Sequence, residues 1–247
     1  MITFSRFNAN QRKKVALELG EVFNQMLGAQ SSVNGVVTFQ GKDRSFDSPL
    51  YIEPFWMKDL PQCKAKDPQL PVRYSDSPPN RKVVEFLTAR FQDQKTLELL
   101  RRPNSTLIPE YMDRFCAMAH ELDAGGWFEN VPSCLAHRDL APRNILVTSP
   151  TEATQRPFEP IIKAVLDWDS AVLAPMFVAC APPQWLWGWK NNKDEDEGMD
   201  YKDPPTPEAR DLKRLFETSA GPDYFRFAYE PQYRLARRLA RFAIDGR

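Results

Sequence analysis

"LAHRDLAPRNILV", residues 135–147, sets a histidine, an arginine, an aspartate and an asparagine between two apolar flanks. Its end, "NILV" (144–147), is a short strand-like run. A second one, "IIKAVL" (161–166), follows after the polar, proline-bearing connection Thr148 to Pro160. Two such runs separated by turn-forming residues predict an antiparallel β-hairpin. In an antiparallel pair the start of one strand lies beside the end of the other. Asn144 is therefore expected next to Asp167, the first residue of "DWD", with Asp139 on the loop beside them. Asn and Asp supply hard oxygen donors suited to Mg²⁺, which shares its remaining positions with water and substrate phosphates. Asp139 is then placed to accept a proton from an attacking hydroxyl. Each of these residues alone reads as a turn or strand-end cap. Together, as HxDxxxxN followed by a hairpin and a second Asp, they point to phosphoryl transfer from ATP.

Composition frames this reading without adding to it. The chain has 247 residues, 42% of them apolar, enough to bury a sizeable core. Its 33 basic and 33 acidic side chains cancel. No overall field is left to hold nucleic acid or an anionic membrane, so a charged ligand needs a local site. Cys63, Cys116, Cys134 and Cys180 show no CxxC spacing, and with only His120 and His137 there is no zinc pattern. Free thiols in a reducing compartment, the cytoplasm, are expected. The uncharged run Ser170 to Trp189 has membrane-span length, but Pro175, Pro182, Pro183 and Gln184 make it a buried wall or turn.

Helices are expected on both sides of the loop. Asn8 with Gln11 forms a capping-box pattern, and Val15, Leu19, Val22, Phe23 and Met26 recur at helical spacing, predicting a helix over about 9–27. "NGVVTFQG" reads as a short strand, and 47–79 as a proline-rich irregular stretch. Val84, Leu87 and Phe91 mark one helix face, and Tyr111, Phe115, Met118 and Leu122 another. Downstream, the acidic stretch within 190–206 reads as a loop; its Gly198 is misplaced for a calcium site. Thr206 and Pro207 open a helix with Leu212, Leu215 and Phe216. Pro231 opens another with Leu235, Leu239 and Phe242 inside and Arg234, Arg237, Arg238 and Arg241 largely outside.

"CLAHRDLAPRNILV" and "AVLDWDSAVLAP" resemble the aminoglycoside phosphotransferase-like family of the protein-kinase-like superfamily, particularly its fungal branch. "FVACAPPQWLWGW", "ARDLKRLFETSAGPDYFRFAY" and "YRLARRLARFAI" are similar to that branch's C-terminal portion, so the resemblance covers most of the chain from Asn10. It implies a predominantly helical α+β fold, a protein-kinase-like C-lobe over residues 1–247 whose small β-hairpin carries the catalytic residues. It makes Asp139 the catalytic base, Asn144 a metal ligand and Asp167 the principal metal ligand, the latter two binding Mg²⁺ and ATP. His137 would brace the loop, and Arg143 and Asp169 would orient groups or contact substrate. The implied acceptor is a small-molecule hydroxyl. Trp168 stands where protein kinases carry the Phe of DFG, and there is no APE segment, which favours a small-molecule kinase ancestry.

One departure counts against a full enzyme. Kinase-like proteins clamp ATP with a small N-lobe bearing a phosphate-covering loop and a strand lysine. No GxGxxG occurs before Asp139, Lys13 and Lys14 fall in the first helix, and the upstream residues read as helices rather than a five-strand sheet. The N-lobe is therefore expected to be missing. Three readings follow: an N-terminally incomplete phosphotransferase, inactive alone; a C-lobe-only binding or regulatory module; and a complete enzyme with an unrecognised nucleotide site.

Overall fold

The Asn8 side chain accepts a hydrogen bond from the Gln11 amide and the Gln11 side chain accepts one from the Asn8 amide, both at 3.0 Å. This reciprocal cap starts the first helix, α1 (Ala9–Gly28), where the sequence places it. The computed structural model describes residues 4–39, 50–53, 55, 82–187 and 202–245. Within them the protein is an α+β fold, mostly helical. Val15, Leu19, Phe23 and Met26 of α1 are buried, together with Gly20. Beyond α1 the helices are α2 (Val83–Arg101), α3 (Leu107–Ala124), α4 (Pro150–Gln155), α5 (Met176–Ala179), α6 (Pro207–Ala220), α7 (Pro222–Tyr229) and α8 (Pro231–Asp245).

Helix α6 opens with the Thr206 hydroxyl accepting from the Ala209 amide at 3.2 Å and Pro207 in its first turn. It packs so closely on α1 that a Cβ at Gly20 would lie 2.5 Å from the Phe216 carbonyl oxygen and 2.6 Å from Ser219 Cβ. Both obstacles belong to α6, one of them backbone, so the helices must part to admit a methyl group. Gly20→Ala is expected to destabilise by about 1–3 kcal/mol despite alanine's better helix propensity. A urea titration that shows Gly20→Ala as stable as the parent would remove this close approach.

The strands are β1 (Gln30–Ser31), β2 (Gly35–Phe39), β3 (Leu50–Glu53), β4 (Ser133–Ala136), β5 (Ile145–Val147), β6 (Ile162–Val165) and β7 (Val172–Pro175). β5 and β6 form the expected hairpin, with Ile145 opposite Val165 and Leu146 opposite Ala164. Its connection contains α4, which the polar, proline-bearing sequence does not announce. The Ser149 hydroxyl caps α4 by accepting from the Glu152 amide at 3.1 Å. The other five strands form an antiparallel sheet in the order β1-β4-β7-β2-β3. The upstream residues, read as mainly helical with a short strand in "NGVVTFQG", supply that strand as β2 and add β1 and β3 to the sheet that also holds β4 and β7. Strands of two to five residues paired across a hundred positions leave no periodicity to read.

Helix α1 also carries the hairpin. The Glu18 carboxylate accepts from the Ile161 amide at 2.9 Å and the Ile162 amide at 2.7 Å, and Gln11 Nε2 donates to the Pro150 carbonyl at 2.8 Å. β6 is thereby fixed to α1 through backbone donors that the sheet leaves unpaired.

Three further expectations change. On α3 the buried face is Met112, Cys116, Ala119 and Leu122, whereas Tyr111 is exposed and Phe115 and Met118 lie at its edge. The aromatic side chains are long enough to reach the core from its margin, which rotates the apparent stripe. Helix α7 falls between the two C-terminal helices that the sequence marks. Arg237 is buried on α8 instead of facing out, because its guanidinium donates to the carbonyls of Phe177, Cys180, Phe227 and Ala228 at 2.9–3.2 Å. Leu239 is buried as expected, with Leu235 and Phe242 partly so.

The uncharged run from Ser170 resolves, as far as Trp187, into β7, α5 and a short 3₁₀ turn, with Met176, Phe177, Leu186 and Trp187 buried. No helix among the described residues is long and apolar enough to cross a membrane. Cys116, Cys134 and Cys180 are free and buried, and burial pushes the Cys134 thiol up to about 12. Cys63, most of 47–79 and most of 190–206 lie outside the described residues.

Candidate active site

Two polar segments run between the same two sheets. One leaves β4 at His137 and reaches β5 after Asn144; the other leaves β6 at Leu166 and reaches β7 after Ala171. β4 pairs with β7, Ala136 lying opposite Val172, and β5 pairs with β6. Both segments are therefore held side by side at both ends. Beyond the hairpin's last pair, the Leu166 amide donates to the Asn144 carbonyl at 2.7 Å. Asn144 thus lies opposite Leu166, the residue before Asp167, at one end of the hairpin, although Asn144 itself closes a 3₁₀ turn (Pro142–Asn144) rather than opening the strand.

His137 joins the two segments from inside. It is 2% exposed, and its Nδ1 accepts from the Asp139 amide at 3.3 Å. Nδ1 is thereby the unprotonated nitrogen, so Nε2 carries the hydrogen and donates to the Leu166 carbonyl at 2.8 Å. The ring meets Trp168 edge-on at 4.7 Å between centroids, and Ser170 Oγ donates to the His137 carbonyl at 3.3 Å. Trp185 Nε1 donates to the Leu140 carbonyl of the loop at 3.1 Å.

Asp139 is held by two donors on its own loop. Arg143 approaches both carboxylate oxygens, at 2.5 and 2.6 Å. Asn144 Nδ2 donates to the Asp139 carbonyl at 2.8 Å and to Oδ2 at 3.0 Å. Both of those partners only accept, which fixes the orientation of the buried Asn144 amide. Its Oδ1 is left without a hydrogen bond among the described residues.

Backbone strain gathers at the same place. Arg138 (φ 65°) and Asp167 (φ 62°) are two of three described non-glycine residues with left-handed backbone. Such conformations are unfavourable for residues with side chains and persist only where surroundings impose them. For Asp167 the imposition is visible in the Leu166 amide bond on one side and the Trp168 Nε1 bond to the Val165 carbonyl at 2.8 Å on the other. Asp167 and Asp169 are both exposed.

The structure thus brings Asp139, Arg143, Asn144 and His137 into one hydrogen-bonded loop with Asp167 at its margin; Asp169 makes no contact with them among the bonds described. No group of three or more His, Cys, Asp or Glu side chains converges among the described residues. An all-protein cage is not what Mg²⁺ needs, since it takes one or two carboxylates and completes its shell with water and phosphate oxygens. The Asp167 carboxylate with the free Asn144 Oδ1 fits that sparse donor set. Lys163, on β6, is the one lysine on a described strand, and it is exposed, 3.4 Å from Glu159. Sequence reasoning missed Trp185 and an ion pair from Arg138 to Asp245, whose 107-residue separation leaves no local signal. Compared with family models, with curated proteins and with solved structures, the chain matches none.

Proposed function

We propose that this chain is the lobe bearing the catalytic residues of a small-molecule phosphotransferase with a protein-kinase-like fold, one that transfers a phosphoryl group from ATP to a hydroxyl. One observation carries the reading. Asn144 donates its amide to Asp139 while its backbone carbonyl is bonded to the residue before Asp167, so base and metal ligands belong to one rigid unit. In that unit Asp139 accepts the proton of the acceptor hydroxyl, Arg143 and Asn144 hold the carboxylate in place, and His137 keeps the two segments in register. Asp167 and Asn144 Oδ1 hold Mg²⁺, which when bound neutralises charge on the nucleotide's phosphates. The three buried, free thiols support a reducing compartment such as the cytoplasm.

A second reading, a non-catalytic binding module, is favoured by the absence of a GxGxxG run from the sequence and of a buried strand lysine among the described residues. Titration with Mg²⁺-ATP separates the two. The phosphotransferase reading expects weak, Mg²⁺-dependent nucleotide binding that Asp167→Ala reduces at least about 10-fold, because a charged metal ligand is gone. Asp139→Asn should leave it unchanged. Equal affinity in the parent and Asp167→Ala would remove the metal role, and no Mg²⁺-dependent binding in the parent would favour the module.

A further inference from the structure

Arg138 separates His137 from Asp139, and its backbone is left-handed. Its guanidinium donates to Asp245, at the C-terminal end of α8, in a pair whose side chains are 21% and 34% exposed. That end of α8 is anchored independently. The buried Arg90 of α2 donates Nε to the Ala243 carbonyl at 3.1 Å. Gln94 donates to the Phe242 carbonyl at 2.9 Å and the Ala243 carbonyl at 3.1 Å. Asp245 is therefore presented to the loop from a fixed support.

A carboxylate at a helix C-terminus opposes the helix dipole, so Asp245 does nothing for α8 itself. The cation of Arg138 offsets that opposition and is itself drawn toward α8. The neighbours of Arg138 are pinned from the other side, His137 by the Leu166 carbonyl and the Asp139 amide by His137 Nδ1. A left-handed residue persists only while its surroundings over-determine it, and among the described residues the Asp245 pair is what holds the Arg138 side chain itself.

We propose that Asp245 is a positioning residue for the candidate active site: through Arg138 it holds the left-handed turn that sets the His137 ring and the Asp139 carboxylate. Its meaning for catalysis rests on the phosphotransferase reading; the mechanical coupling rests on geometry alone.

The test uses the full chain and two readouts. In hydrogen exchange followed by NMR, Asp245→Ala should speed exchange of the Asp139 and Leu166 amides at least about 10-fold, leaving the β4–β7 amides and the thermal midpoint nearly unchanged. Asp245→Glu should restore protection. Introduced into Arg138→Ala, the same Asp245→Ala change should add less than about threefold, since both variants break one interaction. In the second readout, Mn²⁺ should broaden the Asn144 side-chain amide, with a titration midpoint at least about threefold higher in Asp245→Ala than in the parent and in Asp245→Glu. Unchanged Asp139 and Leu166 exchange in Asp245→Ala, or effects that add fully with Arg138→Ala, would overturn the proposal. Should Mn²⁺ leave the parent's Asn144 amide sharp, the phosphotransferase reading fails, and the exchange data still decide whether Asp245 holds the loop.

Discussion

Replacing Arg237 with methionine is expected to destabilise the protein by about 3–5 kcal/mol, since several buried carbonyls lose their donor at about 1–3 kcal/mol each. Methionine fills much of the space but donates nothing. Arg237 is 4% exposed and serves carbonyls from the ends of two short helices, Phe177 and Cys180 at α5, Phe227 and Ala228 at α7. Carbonyls in a helix's last turn have no partner within the helix, and a cation there also meets the negative end of the dipole. One guanidinium thus closes two helices at once, and its removal strands acceptors where water cannot reach. Lysine at this position keeps the charge but loses the planar fork, so Arg237→Lys should fall between parent and methionine. Urea unfolding followed by circular dichroism measures both. A loss under about 1 kcal/mol for the methionine variant would mean that the carbonyls find other donors.

With a nucleotide-clamping segment supplied, Asp139→Asn is expected to slow phosphoryl transfer by about 10²–10⁴-fold, the range for removing a positioned general base. Nucleotide affinity should persist, because Asp167 and Asn144 Oδ1 are untouched. The asparagine also turns an NH₂ toward donors, since Arg143 and Asn144 both point at the Asp139 carboxylate. Arg143→Gln controls for that disturbance: it removes the ion pair and keeps the base, so its loss should be far smaller. Steady-state turnover with an acceptor alcohol, beside equilibrium binding of Mg²⁺-ATP, checks both parts. A kcat unchanged in Asp139→Asn would dismiss this residue as the base, and a matched loss of binding would make it a ligand.

How much of this was legible in the sequence depends on the distance over which each interaction acts. The hairpin, which brings Asn144 beside the residue before Asp167, could be read because a turn-bounded pair of apolar runs fixes its own register. The α1 cap could be read because Asn8 and Gln11 are three residues apart. Arg237 looked solvent-facing because helical spacing sees only one helix, whereas the carbonyls it serves come from α5 and α7. The five-stranded sheet was hidden for the same reason: β1 and β4 are each too short to show a period, and they stabilise each other only as a pair. Within the site, Asp139, Arg143 and Asn144 lie on one loop and were seen, whereas Asp245 enters from a distant helix and was not.

The strand order β1-β4-β7-β2-β3 also governs when this region can form during synthesis. β4 sits between β1 and β7, and β7 between β4 and β2, so the sheet has no stable centre until residue 175 is available. A ribosome releasing the chain from its N-terminus frees β1, β2 and β3 long before either central strand. Closing loops of this length is slow relative to local helix formation. Helices α1 to α3 thus precede the sheet, and the two polar segments, each strung between a late strand and the hairpin, take shape only when β7 docks. The segments that carry Asp139 and Asp167 therefore acquire their geometry in one step, once β7 has been made.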